Sequence, residues 1–446
     1  MGSALNTCFI PSSQESRARP DSEFSILIVS GQLVNLIGRR GAMISGAAWF
    51  VSGWLCIIFA PSTTLLFVGR FLTGGGMGTA APTTSVFLSE VSPAHLRGLL
   101  NTGCNFLMSV GILAGYVLGK WLSYKWLAIA CLVPACVMGA AFSLYVRESP
   151  RWLLQKGRRR QAAEALEFYM GSEGEKELAS LEKTAANAPA LRIADLGNPS
   201  IYRPFLCSLL PMFMQQTAAI NVLLFFAHDI FEDAGTSLAP DNCAIVVGCI
   251  ITLTFLVATL LADRAGRKAL FIISAIITVL GLVLLGLYFH LKEAGGEQFL
   301  ANYGWFPLVA VGVYFVGHSL GLGPLPFVFL GELIPLKAKG FASAVCTAFL
   351  FSVGFLVVKE HFDLQHALGT AGTYWLYGAI VAATFVLFVL FVPETKGKSL
   401  EEIERLFANN GSHFNPPVSL HAADDDLRQC GMSDFASKSP CEDCKC

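Results

Sequence analysis

The chain reads as an all-α membrane protein of two parallel repeats, with about eleven transmembrane helices, and three observations carry that reading. Apolar stretches of spanning length recur along its 446 residues, polar motifs repeat between the halves, and lysine and arginine crowd into alternate connections. Hydrophobic residues make up 54% of the chain and charged ones 14%, with a mean hydropathy of +0.57. A single water-facing domain of this length has no use for so much apolar surface, so lipid is the expected solvent. A net charge of −1 gives no electrostatic footprint for nucleic acid. Most of the 13 cysteines lie in apolar segments, where they read as small buried hydrophobes and not as a disulfide framework.

The elements follow in order. A short apolar run, Phe24–Ile37, has 14 residues and includes Ser25, Ser30, Gln32 and Asn35, so whether it spans stays open. With Arg17 and Arg19 ahead of it the run also mimics a signal peptide, but no small-residue cleavage site follows. Ten spans come next: Ala42–Ala60, Leu65–Val91, Leu99–Lys120, Trp126–Val146, Phe205–Phe231, Ala244–Leu261, Ala269–Leu291, Trp305–Leu330, Phe341–Val358 and Trp375–Val392. The polar interval Arg147–Pro204 separates them into two groups, with helical patterns at Gln161–Tyr169 and Glu175–Ala186. Beyond Phe407 the chain carries Asn-Gly, Pro-Pro and Asp424–Asp426 with no apolar period and reads as disordered. The expected division is 1–23 tail, 24–146 first repeat, 147–204 helical linker, 205–407 six-helix second repeat and 408–446 cytoplasmic tail.

The repeat is visible residue by residue. Gly38 of NLIGRR matches Gly266 of DRAGRK 228 positions later, and Glu90, Pro93, Arg97 and Gly98 match Glu332, Pro335, Lys339 and Gly340 at 242. Subtracting 228 from Phe205–Phe231 runs off the start of the sequence, so the first repeat is expected to lack its first helix. Arginine and lysine at 39–40, 97, 147–160, 264–268, 337–339 and 396–398 mark the cytoplasmic connections. The alternate set holds only Lys120, Lys125, Lys292 and Lys359.

Nine motifs then lie in order on these elements: Gly38–Arg40, Gly69–Gly78, Ser89–Gly98, Arg147–Leu154, Gln215–Asn221, Asp263–Lys268, Gly321–Phe327, Glu332–Gly340 and Pro393–Glu404. Together they resemble the sugar-transporter branch of the major facilitator superfamily, whose bundle has twelve helices. The class III facilitative glucose transporters, an often intracellular subgroup, are the most similar, and insect-type trehalose transporters come second. The resemblance implies facilitated diffusion of a hexose or related small sugar by alternating access. It also implies a monomeric carrier in the plasma membrane or an intracellular (endosomal or lysosomal) membrane. Sugar and lipid are then the expected partners. No catalytic constellation, cofactor, metal set or nucleic-acid surface is expected.

Charged residues at helix ends have a physical task in such a carrier: pairs can latch the halves in one state and part in the other. The expected latch comprises Arg39, Arg40, Glu90, Arg97, Glu148, Arg151, Asp263, Arg264, Arg267, Lys268, Glu332, Lys339 and Glu394. Topology signalling explains the basic residues but leaves the repeat-equivalent acids unexplained. Asn35 stands where the second half has Asp263, so one partner is neutral.

Gln215, Gln216 and Asn221 are the sugar-binding residues the resemblance implies. Amides donate and accept, which suits hydroxyls, and Gln215 and Asn221 share a cavity only if their helix is partly unwound. The alternative use of such amides is bonding between helices. Asn105 stands for a family Gln and Phe327 for a family Trp, and both are expected at the sugar. Ile251 replaces an amide, and Leu350 and Phe351 replace an Asn-Trp pair. Gly321, Gly323, Pro324 and Pro326 are expected to form a gating break, because proline frees backbone carbonyls within a helix. With the first helix expected to be absent, a carboxylate for proton coupling is hard to find, which favours passive transport over symport. The other readings are a non-transporting truncated isoform or sugar sensor, and a carrier of another polyol or organic solute.

Lesser features are His318, expected as a structural or titrating group within a span, and Arg70, expected to face the bundle or snorkel. The sequon at Asn410 falls on the cytosolic side, and Cys441, Cys444 and Cys446 are one thiol short of a closed zinc site.

Overall fold

A computed structural model describes residues 21–92, 97–171, 174–186, 197–334, 338–394 and 407, with only the backbone described over 21–36 and at scattered helical positions. Among the described residues every regular element is a helix. In chain order these are α1 (Asp21–Ile58), α2 (Thr63–Val91), α3 (Arg97–Trp121), α4 (Tyr124–Leu144), α5 (Pro150–Gln155), α6 (Arg159–Met170) and α7 (Gly174–Ala186). The second half holds α8 (Pro199–Thr217), α9 (Ile220–Phe225), α10 (Ala227–Ala234), α11 (Pro240–Ala265), α12 (Arg267–Tyr303), α13 (Phe306–Gly317), α14 (Leu325–Leu333) and α15 (Lys339–Phe391).

Among the described residues eight stretches are long and apolar enough to cross a membrane, one of them the 50-residue Ala342–Phe391. That stretch lies in α15, which folds back at Gly369 (φ 74, ψ 166), as α1 does at Gly38 (φ 87, ψ 173). Only glycine adopts these angles cheaply. Counting both arms of α1 and of α15 gives five membrane-length helical segments before the linker and six after it. Phe24–Ile37, left open by its length, is helical in its backbone and forms the first arm of α1.

The glycine-rich run of α2 has a packing reason. A Cβ on Gly53 would lie 2.8 Å from the Gly69 carbonyl oxygen, and one on Gly69 would lie 2.9 Å from that of Gly53. Backbone contact between α1 and α2 is thus what the small residues permit. Local signals set the helix starts: Ser149 caps α5 by accepting from Trp152 N at 3.4 Å, and Pro150 fills the first turn where no donor is missed. The linker helices α6 and α7 cover the stretches with helical patterning, and Trp152, Leu153, Ala162 and Ala165 form their small core. The largest core lies in the second half, where Phe271, Tyr314, Phe315, Phe329 and Phe388 are fully buried. Among the described residues the halves meet mainly along two helix pairs, α3 with α11 and α1 with α15.

Candidate functional site

Two sets of polar residues stand out, one at the helix ends and one in the middle of the second half. At the ends, the Arg39 guanidinium grips Glu90 with two bonds, Nε to Oε2 at 3.0 Å and Nη2 to Oε1 at 3.1 Å. Both side chains are under a tenth exposed, at 8% and 7%. The Glu148 carboxylate accepts the backbone N–H groups of Arg39 (2.8 Å), Arg40 (3.1 Å) and Ser149 (2.8 Å). Ser149 Oγ lies 2.5 Å from Glu90 Oε2 and links the two acids. Arg40 reaches the Phe142 carbonyl at 2.9 Å and the Ser143 carbonyl, groups at the C-terminus of α4 that lack helical partners.

The second half repeats this arrangement. Arg267 Nε lies 3.4 Å from Glu332 Oε1, Glu394 accepts the Lys268 N–H at 3.2 Å, and Lys268 Nζ donates to the Val389 carbonyl at 2.9 Å. Arg39 and Arg40 correspond to Arg267 and Lys268 at 228, Glu90 to Glu332 at 242, and Glu148 and Ser143 to Glu394 and Val389 at 246. The copies are unequal: Arg267 and Glu332 are 23% and 28% exposed.

This arrangement departs from the expected latch between halves. Each described ion pair at the helix ends joins elements of one half, Arg39 with Glu90 in the first and Arg267 with Glu332 in the second. The reason is local: a helix turned at a positive-φ glycine exposes N–H groups, and the nearest acids to take them belong to the same half. Arg151 is half-buried on α5. The side chains of Arg97, Asp263, Arg264 and Lys339 lie outside the described residues, as do the 408–446 tail and its cysteines.

In the middle of the second half, α8 stops at Thr217 and α9 starts at Ile220, with Ala219 left-handed between them (φ 62, ψ 32). The unwinding that Gln215 and Asn221 require is therefore present. Asn221 Nδ2 donates to Gln216 Oε1 at 2.9 Å across the break, and Tyr314 on α13 ties the break down by donating to the Ala218 carbonyl at 2.9 Å. Gln215 Nε2 donates to the Gly323 carbonyl at 3.0 Å, while its Oε1 is buried without a hydrogen-bond partner. A Cβ on Gly354 of α15 would lie 2.7 Å from Gln216 Oε1 and 2.9 Å from Asn221 Nδ2, so a bare backbone faces this amide pair.

Between α13 and α14 the chain forms one π turn, His318–Leu322, closed by Gly323 N donating to the His318 carbonyl at 2.8 Å. It lies where Gly321, Gly323, Pro324 and Pro326 were expected to break the helix. Asn105 of α3 joins Phe255 and Thr259 of α11 and Leu320, Pro324 and Val328 around a small pocket between the halves. Phe327 is not drawn into that pocket and is 39% exposed on α14. Ile251 and Leu350 are buried in the apolar packing of the second half, and Phe351 packs beside Leu350. His318 stacks on Tyr314 with centroids 5.9 Å apart, and the Arg70 guanidinium sits 5.7 Å over the Trp54 ring.

At the end of the bundle opposite the Gly38 and Gly266 turns, the halves are bonded directly: Lys120 Nζ donates to Asn242 Oδ1 at 2.5 Å and Tyr116 Oη to the Leu224 carbonyl at 2.7 Å. Midway along the same helices Thr252 Oγ1 donates to the Ser109 carbonyl at 3.3 Å. The reading of the sequence passed over Tyr116, Ser274, Tyr314 and Gly354. The first three carry the available signal, a polar group inside an apolar span.

Comparison with known proteins agrees with this geometry. The family model described as "Sugar (and other) transporter" matches residues 26–407. A protein of Aedes aegypti described as facilitated trehalose transporter Tret1 is 35% identical over 391 residues, covering 85% of this chain and 47% of that one. One from Polypedilum vanderplanki with the same description is 36% identical over 384 residues, covering 85% and 76%. The chain thus spans about half the length of the first relative and about three quarters of the second. Among solved structures, the proton:xylose symporter XylE bound to 6-bromo-6-deoxy-D-glucose superposes with a TM-score of 0.71 at 23% identity, over 91% of this chain and 94% of that one. The inward open form of XylE from E. coli gives 0.70.

Proposed function

On the premise that this chain belongs to the Sugar (and other) transporter family, we propose that it carries a small sugar across a membrane by facilitated diffusion. The family and the apolar helices make it a multi-pass integral membrane protein, and the proteins it matches are transporters and not enzymes. The observation that supports the proposal is the amide set at the broken helix: Asn221 and Gln216 pair across the interruption at Ala219, and Gln215 beside them bonds the Gly323 carbonyl. Such groups exchange hydrogen bonds with sugar hydroxyls at neutral charge, which favours reversible binding over tight capture.

In this reading segments 24–146 and 205–407 are the two moving halves, and 147–204 is the tether between them. Asn105 faces the second half across the pocket and adds a polar group from the first. The bonds of Lys120 and Tyr116 hold one mouth shut, and opening that mouth while closing the other moves the sugar. Each half keeps its own fastened helix ends throughout, so Arg39–Glu90 and Arg267–Glu332 act as internal braces. The chain is taken to act as a monomer, in the plasma membrane or an endosomal or lysosomal membrane.

The description of the insect relatives makes trehalose the first sugar to test and glucose the second. Purified chain reconstituted in vesicles is expected to give saturable flux of one of them without a proton gradient. Correct insertion with no saturable flux of either sugar overturns the proposal. Flux that appears only with an imposed proton gradient assigns symport instead.

A further inference from the structure

We infer that Ser274 is a positioning residue for sugar recognition, acting through Gln215; the inference rests on the reading of Gln215 as a sugar contact. Ser274 lies on α12 with no exposed surface. Its hydroxyl donates to the Gly317 carbonyl at 2.7 Å and accepts from Leu322 N at 2.7 Å. Those two groups stand at the two ends of the π turn. In an unbroken α-helix Leu322 N would bond to the His318 carbonyl, but that carbonyl receives Gly323 N at 2.8 Å instead. The Ser274 hydroxyl bridges Leu322 N and the Gly317 carbonyl across the wider turn.

The approach is close enough only because the facing residues are glycines. A Cβ on Gly321 would meet the Ser274 Cβ at 2.8 Å, and one on Gly317 would fall 2.8 Å from Thr278 Oγ1.

The residue after the clamped turn is Gly323, and its carbonyl takes Gln215 Nε2 at 3.0 Å. With the nitrogen end committed, the amide cannot flip, and Oε1 becomes the free end, buried and without a partner. An acceptor held in one direction is what a sugar hydroxyl donor requires. Loss of the Ser274 hydroxyl releases Leu322 N to the His318 carbonyl, straightens the turn, moves the Gly323 carbonyl and frees the Gln215 amide to rotate. Ser274 itself need not touch the sugar.

A double-mutant cycle on the full purified chain tests this, with glucose and trehalose as probes and their dissociation constants as the readout. Ser274→Ala is expected to weaken binding of the recognised sugar by roughly three- to tenfold, the worth of about one hydrogen bond. In a Gln215→Ala background the same substitution is expected to have almost no further effect, because the group it orients is gone. A purely structural serine would weaken both backgrounds equally, and that result overturns the inference, as does unchanged binding by Ser274→Ala. If Ser274→Ala does not fold, Ser274→Cys, which exchanges the hydroxyl for a weak thiol donor and acceptor, serves in the same cycle. Unchanged binding by Gln215→Ala alone overturns the recognition reading itself, a pattern distinct from independent losses at both residues.

Discussion

Asn221 donates to Gln216 Oε1 at 2.9 Å although five residues separate them, a pairing that a continuous α-helix, with 3.6 residues per turn, places on different faces. The left-handed Ala219 between them makes it possible. The cost of a positive φ at an alanine, of order 1–2 kcal/mol, is thus tied directly to the placement of two amides.

Ala219→Gly is accordingly expected to keep transport and raise stability by a few tenths to about 1 kcal/mol, since glycine adopts positive φ freely. Ala219→Val is expected to lower both, because a β-branched residue resists that conformation. Thermal unfolding in detergent and vesicle flux, measured together, check the pair.

Gly354→Ala pushes a methyl into the Gln216–Asn221 pair, where contacts of 2.7 and 2.9 Å leave no room. The expected result is a loss of sugar affinity of about tenfold, the free-energy equivalent of roughly 1.4 kcal/mol. The melting temperature should move by only a few degrees. Asn221→Ala should lose affinity to a similar extent, read by equilibrium binding of the same sugar.

The two helix-end pairs predict unequal costs. Arg39→Met strands Glu90 in a site 7% exposed and should destabilise the chain by about 3–5 kcal/mol, whereas Arg39→Met with Glu90→Met should recover much of the loss. Arg267→Met, at a longer and more exposed pair, should cost less, about 1 kcal/mol. Unfolding of the four proteins under one set of conditions orders them. Equal losses at the two sites would remove the distinction.

Tyr116→Phe deletes the hydroxyl that donates to the Leu224 carbonyl across the closed mouth at 2.7 Å. One hydrogen bond of about 1 kcal/mol should multiply the population of the open form by about five. Backbone hydrogen exchange over 109–121 and 240–252 is expected to quicken by that factor, with exchange in the linker helices unchanged.

The spans and the helical linker were legible because they depend on apolar length and local period, which the sequence displays directly. So was the need for an unwound helix near Ala218 and Ala219, since the i and i+6 spacing of Gln215 and Asn221 demanded it. The motif pairs were legible as pairs, but their partners were not. Whether Glu90 reaches Arg39 or a residue of the other half depends on helix packing, and the exposed N–H groups behind Gly38 appear only once the turn is built. Phe327 was expected at the sugar; it is 39% exposed on α14 and does not line the Asn105 pocket. Gly354 was silent, and Ser274 showed only as a polar group in an apolar run, because a serine or glycine there acquires its meaning from its neighbour on another helix.

The bonding at the helix ends has one more implication. Arg39, Glu90 and Glu148 complete one set of contacts and Arg267, Glu332 and Glu394 another, with no described ion pair at the helix ends borrowed across the middle of the chain. A gene cut within 187–196, after the linker helices, and expressed as two polypeptides would therefore yield fragments that each keep their own fastenings. The α3–α11 and α1–α15 seams, with the Tyr116–Leu224 bond, are what would bring them together in the lipid.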